Sequence, residues 1–317
     1  MTVSIGLGLM DFPFEDAAAF WRWVDMCEAG GVDSLWQTDR IISRTPILES
    51  MTTMAALAGR TRRIKFGMNV VSIAFRDPVL LAKQCATIDF LSGGRLLPAF
   101  GIGSPLSPEW KALGLDTATR GRRTDEGLLV MRRLWREESV DFAGKFTTLR
   151  GASILPRPVQ PDLPIWIGGS SEAAIQRTAR LGTGWIAGSE PPEEAGRIVA
   201  AIKAACAIEG RRIDDDHYGA GMAFHFGHPD DPALRPAMDA FRKRTGRDPA
   251  NAFAIGDADA ILARVAEFVA AGVEKFILRP MLPGADHILT QTARLIAEVL
   301  PRVGPAFNGK PGTMPQP

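Results

Sequence analysis

Apolar positions along the chain follow two alternating periods. Short runs of apolar, β-branched or aromatic residues occur at 4–9, 34–37, 64–71, 95–100, 165–167, 185–187, 218–226 and 275–278. Several are continuous rather than alternating, as parallel strands covered on both faces require. Between them the spacing lengthens to that of a helix. Phe20, Trp23, Val24 and Cys27 recur at i, i+3, i+4 and i+7, as do Met51, Met54, Ala55 and Ala58; Ile261, Val265, Phe268 and Val269 form a similar stripe. Punctuation agrees with the stripes. Thr45-Pro46 and Asp77-Pro78 each set a capping residue before a proline at a predicted helix start. Gly30, Gly93 and Gly272 stand just past predicted helix ends, where a left-handed residue is needed. The helix–Gly–Val–acid–strand order of residues 29–36 returns at 271–277, as two equivalent units of one closed sheet would show.

Eight strand–helix units predict an α/β fold of the (β/α)8 type, a TIM barrel, over an open doubly wound sheet. A dinucleotide fold would carry G-x-G-x-x-G after its first strand, whereas Gly6 and Gly8 lie inside that strand. One barrel domain is expected over 1–303, with insertions at 139–164 and 227–256 and a flexible tail at 304–317. Residues 140–146 read as a small hairpin, followed by proline-rich chain. Insertions of this kind decorate the ligand face.

Composition narrows the function classes. The 317 residues are 46% hydrophobic and 23% charged, with a formal net charge of +1, so neither nucleic acid nor an anionic membrane is called for. No basic stretch leads into an apolar run at the N-terminus and no apolar window reaches about 18 residues. A cytoplasmic address is expected. Cys27, Cys85 and Cys206 are odd in number and sit in helical patterns, which fits buried free thiols better than a disulfide framework.

In a barrel of this kind chemistry gathers at the C-terminal ends of the strands. Those ends carry Met10-Asp11, Thr38-Asp39-Arg40, Asn69-Val70-Val71-Ser72, Gly101-Ile102-Gly103-Ser104, Gly168-Gly169-Ser170-Ser171, Gly188-Ser189, His225 and Arg279. The four histidines show no metal-site spacing. Lys65 and Lys275 lie early in their strands, at rim or salt-bridge positions rather than at a Schiff-base position, and no G-x-S-x-G elbow occurs. What remains is a mouth of glycines, hydroxyls and apolar side chains, suited to a large planar cofactor. Gly168-Gly169-Ser170-Ser171 is the sharpest local signal. Following a strand and opening a helix, it aims free N–H groups and a helix dipole at one spot, an arrangement that holds a phosphate. An ordinary serine cap after a tight glycine turn explains the same residues equally well. Trp36, Met10, Phe12 and Phe75 are candidates for an apolar substrate wall or for core.

Residues 60–67, 76–84, 89–95 and 101–103, with a second block at 142–146, 156–160 and 164–169, resemble the luciferase-like flavin monooxygenases and the related reductases of the deazaflavin coenzyme F420. The resemblance implies a luciferase-like barrel with the cofactor ring at the strands' C-terminal ends. It implies a non-prolyl cis peptide near the end of strand three, which maps to Asn69–Val70. The phosphate position maps to Gly169, Ser170 and Ser171, with Ser104 nearby, and Gly101, Gly103 and Gly168 line the same region. Asp39-Arg40 falls where the family often has an acidic residue followed by histidine. The histidine is missing here, and arginine can donate but cannot act as an acid or base. Arg40 is read as an anion stabiliser or, more simply, as the partner of Asp39. His225 is the other imidazole that could face the pocket, although a packed, hydrogen-bonded histidine is the simpler reading.

The expected activity is that of a flavin-dependent oxidoreductase, a monooxygenase using reduced FMN and O2 on a small organic substrate. A homo-oligomer is expected, with a separate flavin reductase as a candidate partner. The alternatives are an F420-dependent hydride-transfer enzyme and a flavin-binding barrel without turnover. For F420, Arg235, Arg242, Lys243, Arg244 and Arg247 of the second insertion could meet an anionic tail, or could simply form a solvated helix face.

Overall fold

The structure, a computed structural model, describes residues 2–308. It begins with strand β1 (Ser4–Leu9), helix α1 (Ala17–Ala29), β2 (Ser34–Gln37) and α2 (Ser50–Arg60). The third strand comes in two pieces, β3 (Lys65–Met68) and β4 (Val71–Ser72), before α3 (Pro78–Ser92). The fourth is likewise split, into β5 (Leu96–Leu97) and β6 (Ala99–Gly101). Then follow α4 (Glu109–Ala112), α5 (Arg120–Arg136), a hairpin of β7 (Val140–Ala143) and β8 (Thr148–Ala152), β9 (Trp166–Gly168), α6 (Glu172–Leu181), β10 (Gly184–Ala187) and α7 (Pro192–Ile208). The last part holds β11 (Tyr218–Phe226), α8 (Arg235–Thr245), β12 (Ala254–Gly256), α9 (Ala258–Ala270), β13 (Lys275–Pro280), α10 (Ala285–Arg294) and α11 (Leu300–Phe307).

Pairing runs in a closed circuit, and every rung of it is parallel. β1 pairs with β2, β2 with β3, β3 with β5, β4 with β6, β6 with β9, β9 with β10, β10 with β11, β11 with β13, and β13 with β1. The break in strand four falls at Pro98, which has no N–H for the ladder. Its carbonyl still accepts from Trp166 N at 3.1 Å, so the sheet continues past it. The fold is therefore the expected eight-stranded barrel. β12 adds alongside β11. The hairpin β7–β8 is pinned to α5 by Glu126, whose carboxylate accepts from the N–H groups of Lys145, Phe146 and Thr147.

Two indoles fill the barrel. Trp36 and Trp166 are almost fully buried and meet edge-on at 6.4 Å, with Ala99, Ile186 and Ile277 around them. Glycines on adjacent strands make the room. A Cβ on Gly67 would sit 2.7 Å from the Trp36 ring, and one on Gly184 would sit 2.7 Å from the Trp166 ring. Outward-facing residues of the same strands, such as Leu7, Phe66, Phe276 and Leu278, pack under the helices. Below the indoles, Lys275 and Lys65 both reach Asp33, the latter at 3.5 Å. They are salt-bridge residues, as their early strand positions suggested.

Several local expectations change. α3 starts at Pro78 with Asp77 accepting from Val79 N and Leu80 N at 2.9 Å. α2, however, starts at Ser50 under Glu49, not at Thr45-Pro46; Thr45 instead donates its hydroxyl to Asp11. At the end of α1 the left-handed residue is Gly31 (φ 80°) rather than Gly30 (φ −82°). α11 carries the chain through Gly304 and Pro305, where the tail was expected to begin. The helix has something to dock on, because the Asn308 side chain accepts from Val3 N at 2.7 Å, beside β1. Residues 309–317 lie outside the described residues. All three cysteines are free and buried, and no helix among the described residues is long and apolar enough to cross a membrane.

Candidate active site

On the side of the mouth built by strands three to five, the Asn69–Val70 peptide is cis. Val70 turns its side chain onto two neighbouring strands. A Cβ on Gly101 would lie 2.6 Å from Val70 Cγ2, and a Cβ on Gly168 would lie 3.0 Å from Val70 Cγ1. Glycine is what these two positions admit, and with Val70 they form a smooth apolar step across three strands. Gly103 (φ 75°) approaches Ser72, Phe75 and Trp110, and the Trp110 indole donates to Ser104 O at 2.7 Å. The sequence thus brought Asn69, Val70, Gly101, Gly103, Ser104 and Gly168 to one wall.

Gly169 (φ 114°) makes the turn into α6, and its carbonyl is held by the buried Trp185 indole at 2.8 Å. Ser171 caps α6, accepting from Ala174 N at 3.3 Å, which is the simpler of the two roles its position allowed. Ser170 is half-buried with its hydroxyl uncommitted among the described residues. The N–H groups at the start of a helix have no partner within it. Gly169, Ser170 and Ser171 could therefore hold a phosphate through backbone donors and the Ser170 hydroxyl.

Asp39 is not the partner of Arg40. Its carboxylate takes both Nη groups of Arg76, at 2.8 and 2.7 Å, together with Ser50 Oγ at 2.9 Å and Ser72 N at 3.3 Å. The Asp39 side chain is 2% exposed and that of Arg76 12%, so this is a buried bidentate pair. The cause is geometric. Arg76, in the turn after β4, reaches both oxygens of Asp39, whereas Arg40 is exposed to solvent. Arg40 is exposed and forms no ion pair among the described residues. Its loop is tied down by Glu109, which accepts from Ile41 N at 3.1 Å and Ile42 N at 3.2 Å.

On the opposite side, His225 lies near the end of β11 and stacks on His287 of α10, with ring centroids 5.5 Å apart and planes at 11°. The expected hydrogen bonds are not all there: His225 Nδ1 and His287 Nε2 are buried without partners among the described residues. Asp231 stands 3.8 Å from His225 Nε2. Burial lowers both imidazole pKa values, and Arg294 adds to the effect at His225 while His225 adds to it at His287. Arg279, at the top of β13, also carries a buried Nε with no acceptor.

The other sequence candidates disperse. Trp36 belongs to the indole plug beneath the mouth, Phe12 packs on Phe14 and Phe20, and Phe75 meets Trp110 at 4.4 Å. Met10, Ile41, Ile42 and Leu106 leave an apolar rim. In the second insertion Arg247 is spent on Glu194, at 2.7 Å to both oxygens, and on Ser189, while Arg242 pairs with Asp239. A cavity of about 360 Å³ opens between the start of α3 and the hairpin, lined by residues including Arg76, Arg123, Phe146 and Thr147 but by none of the strand-end glycines. The sequence reading missed Arg76, Trp110, Trp185 and His287. It placed Arg279 at a strand end without giving it a role. Only Arg279 left a trace, since it shares strand parity with Ile277 and so had to face inward.

The family description for luciferase-like monooxygenases matches residues 4–254. An F420-dependent glucose-6-phosphate dehydrogenase of Mycobacterium avium is 34% identical over 176 residues, 52% of this chain and 51% of that protein. An uncharacterised protein of Mycobacterium tuberculosis is 35% identical over 159 residues, 50% of this chain and 54% of that protein. The chain thus matches about half the length of these curated relatives. Among solved structures, an F420-dependent secondary alcohol dehydrogenase in complex with an F420–acetone adduct is similar with a TM-score of 0.80 at 20% identity, covering 96% of this chain and 99% of that one. A monooxygenase from Streptomyces bottropensis gives 0.79 at 22% identity, covering 94% and 99%. These two likenesses speak for the fold.

Proposed function

The chain belongs to the luciferase-like monooxygenase family, and we propose that it oxidises a small organic substrate with O2, using reduced FMN delivered by a separate reductase. The observation that carries this reading is the step of Val70 against Gly101 and Gly168, which a single added Cβ would fill. Such a surface accepts a flat tricyclic ring. Beside it, the start of α6 suits one terminal phosphate. When bound, reduced flavin supplies the electrons that activate O2.

The chain's own residues do the rest. Val70 and the glycines set the ring's height, and Gly169, Ser170 and Ser171 hold the phosphate. The indole plug closes the floor against water. Asp39 acts as a positioning residue, because its carboxylate is wholly engaged in joining the loop after β2 to Ser72 and Arg76. Arg40 has no contact that would bring it to the reaction. Of the three residues put forward for catalysis, His225 alone remains as a proton acceptor, its imidazole pKa lowered by burial and its Nδ1 without a partner among the described residues.

An F420-dependent hydride transfer is the second reading, supported by the Mycobacterium avium relative. Against it, Arg242 and Arg247 of the basic insertion are consumed internally. Calorimetric titration of the apo-protein with FMN and with F420, side by side, tests the choice. Micromolar or tighter FMN binding is expected. Binding of F420 alone would overturn the FMN reading, and FMN binding without reductase-coupled oxygen uptake on any substrate would leave a flavin carrier.

A further inference from the structure

The inward face of β13 reads upward as Lys275, Ile277 and Arg279. Lys275 meets Asp33, and Ile277 joins the indole layer. Arg279 meets no carboxylate within salt-bridge distance among the described residues, and its Nε is sealed from solvent without an acceptor. Three other deeply set arginines are answered, whereas Arg120 and Arg157 also bury an Nε without a partner among the described residues. Arg76 has Asp39, Arg177 has Asp125 at 2.6 Å, and Arg95 donates to Ser92 O, Ala58 O, Ile64 O and both oxygens of Thr61. Arg279 is half-buried, its fork reaching toward the mouth while its Nε is shut off, and a donor withdrawn from water without an acceptor is costly. Burial pushes its pKa down to about 10, with the Arg244 guanidinium adding to the effect, so the group stays charged at neutral pH.

The chain makes space for this arginine. A Cβ on Gly8 of β1 would stand 3.2 Å from Arg279 Cγ, and one on Gly221 of β11 would stand 3.4 Å from Arg279 Nη1. Glycines on both flanking strands thus open a slot whose end is a planar fork of donors. The slot lies among strands seven, eight and one, across the barrel from the Val70 step on strands three to five.

We propose that Arg279 binds an oxyanionic group of the substrate, a carboxylate, sulfonate or phosphate. The proposal rests on the reading of the barrel mouth as a small-molecule reaction site. The guanidinium fork matches two oxygens of such a group, and its position opposite the step assigns it to the substrate rather than to the cofactor. Arg244, exposed on the insertion, adds a second positive charge from above.

The test is thermal denaturation of the full chain titrated with acetate, sulfate and inorganic phosphate, for wild type, Arg279→Met, Arg279→Lys and Ser170→Ala. Wild type should show a saturable rise in Tm with at least one of the three anions, and the anion giving the largest Arg279-dependent rise names the group. Arg279→Met should melt no lower than wild type without anion and need roughly ten- to hundredfold more anion for the same rise. Arg279→Lys should recover part of the response, and FMN and F420 affinities should stay within about twofold. Ser170→Ala should keep the response, which separates it from anions settling at α6. An unchanged response in Arg279→Met overturns the proposal. So does a lower anion-free Tm in that variant, because the guanidinium is then structural, or a tenfold loss of cofactor affinity, because it then serves the cofactor. Failure of the flavin reading would appear separately, as wild type binding neither cofactor.

Discussion

The two walls of the barrel mouth are built on different principles. On strands three to five the groups around the Val70 step are answered within the fold, although the Trp166 indole N–H and the Ser170 hydroxyl have no partner among the described residues. Asp39 has four donors, Gly169 O has Trp185, Ser104 O has Trp110, and Val70 presses on two glycines. Around strands seven, eight and one, Arg279 of β13, His225 of β11 and His287 of α10 each bury a nitrogen without a partner among the described residues. Buried unsatisfied donors are few in native proteins, and each asks for a cause. Around the Val70 step the first wall is set before anything binds, which suits an invariant ligand such as a cofactor ring. The second is complete only when something else arrives.

The contrast can be broken most forcefully at Asp39. Asp39→Ala strips Arg76 of its bidentate partner in a buried setting, a change that costs about 3–5 kcal/mol and should lower Tm by roughly 5–10 °C. Calorimetric melting of the apo-protein measures this. An unchanged Tm would show that the first wall does not depend on that pair. Next in size is Gly101→Ala, which forces Val70 aside and should cost about 1–3 kcal/mol of overpacking. Part of that should be read as a tenfold or greater loss of cofactor affinity. Gly221→Ala on the other wall meets only the tip of Arg279 at 3.4 Å, and its cofactor affinity should match wild type. Equal losses in the two variants would erase the distinction between the walls.

Smaller effects should separate the two serines. Ser171→Ala removes a cap and should cost about 1 kcal/mol of apo stability. Ser170→Ala should leave stability alone and weaken cofactor binding about tenfold. If both variants lose only stability, the start of α6 is not a phosphate site. The smallest effect is the response of the second wall to acid. Both imidazoles have pKa values lowered by burial. Stability is therefore full above the unfolded histidine value of about 6.5 and falls as pH drops from there through the lowered folded values, where the unfolded chain binds more protons. Urea unfolding at stepped pH should show this decline, and it should flatten in a His225→Asn, His287→Asn double variant. A decline that persists there would assign it to other groups.

The barrel was legible in the sequence because the motifs that reveal it are struts. Asp89 accepts from Val159 N, Gln160 N and Gln160 Nε2, tying the proline-rich chain to α3. Arg95 staples α2 to β3, and Glu28 holds the N–H groups of residues 62–64. These contacts sit at the N-terminal ends of the strands, away from the mouth, where recurrence marks stability. The cis bond and the glycine wall followed from the same resemblance. The charge pairing did not. Asp39 chose a partner 37 residues away over its neighbour, and no local pattern encodes that choice. The stacking of His225 on His287 joins residues 62 apart in sequence, which is equally invisible. Arg279 was read at the mouth but given no role, because the glycines that flank it lie on two other strands and no local pattern shows that it lacks a counter-charge.

The plug of Trp36 and Trp166 gives the barrel an optical property. Two water-shielded indoles 6.4 Å apart lie directly under the place where a yellow chromophore would rest. Light absorbed by either indole is emitted in the band that such a chromophore absorbs. Energy would therefore pass upward whenever the mouth is filled and escape as near-ultraviolet fluorescence whenever it is empty. If a flavin is the ligand, the packing that closes the floor of the barrel would also make its occupancy visible, without a label and without turnover.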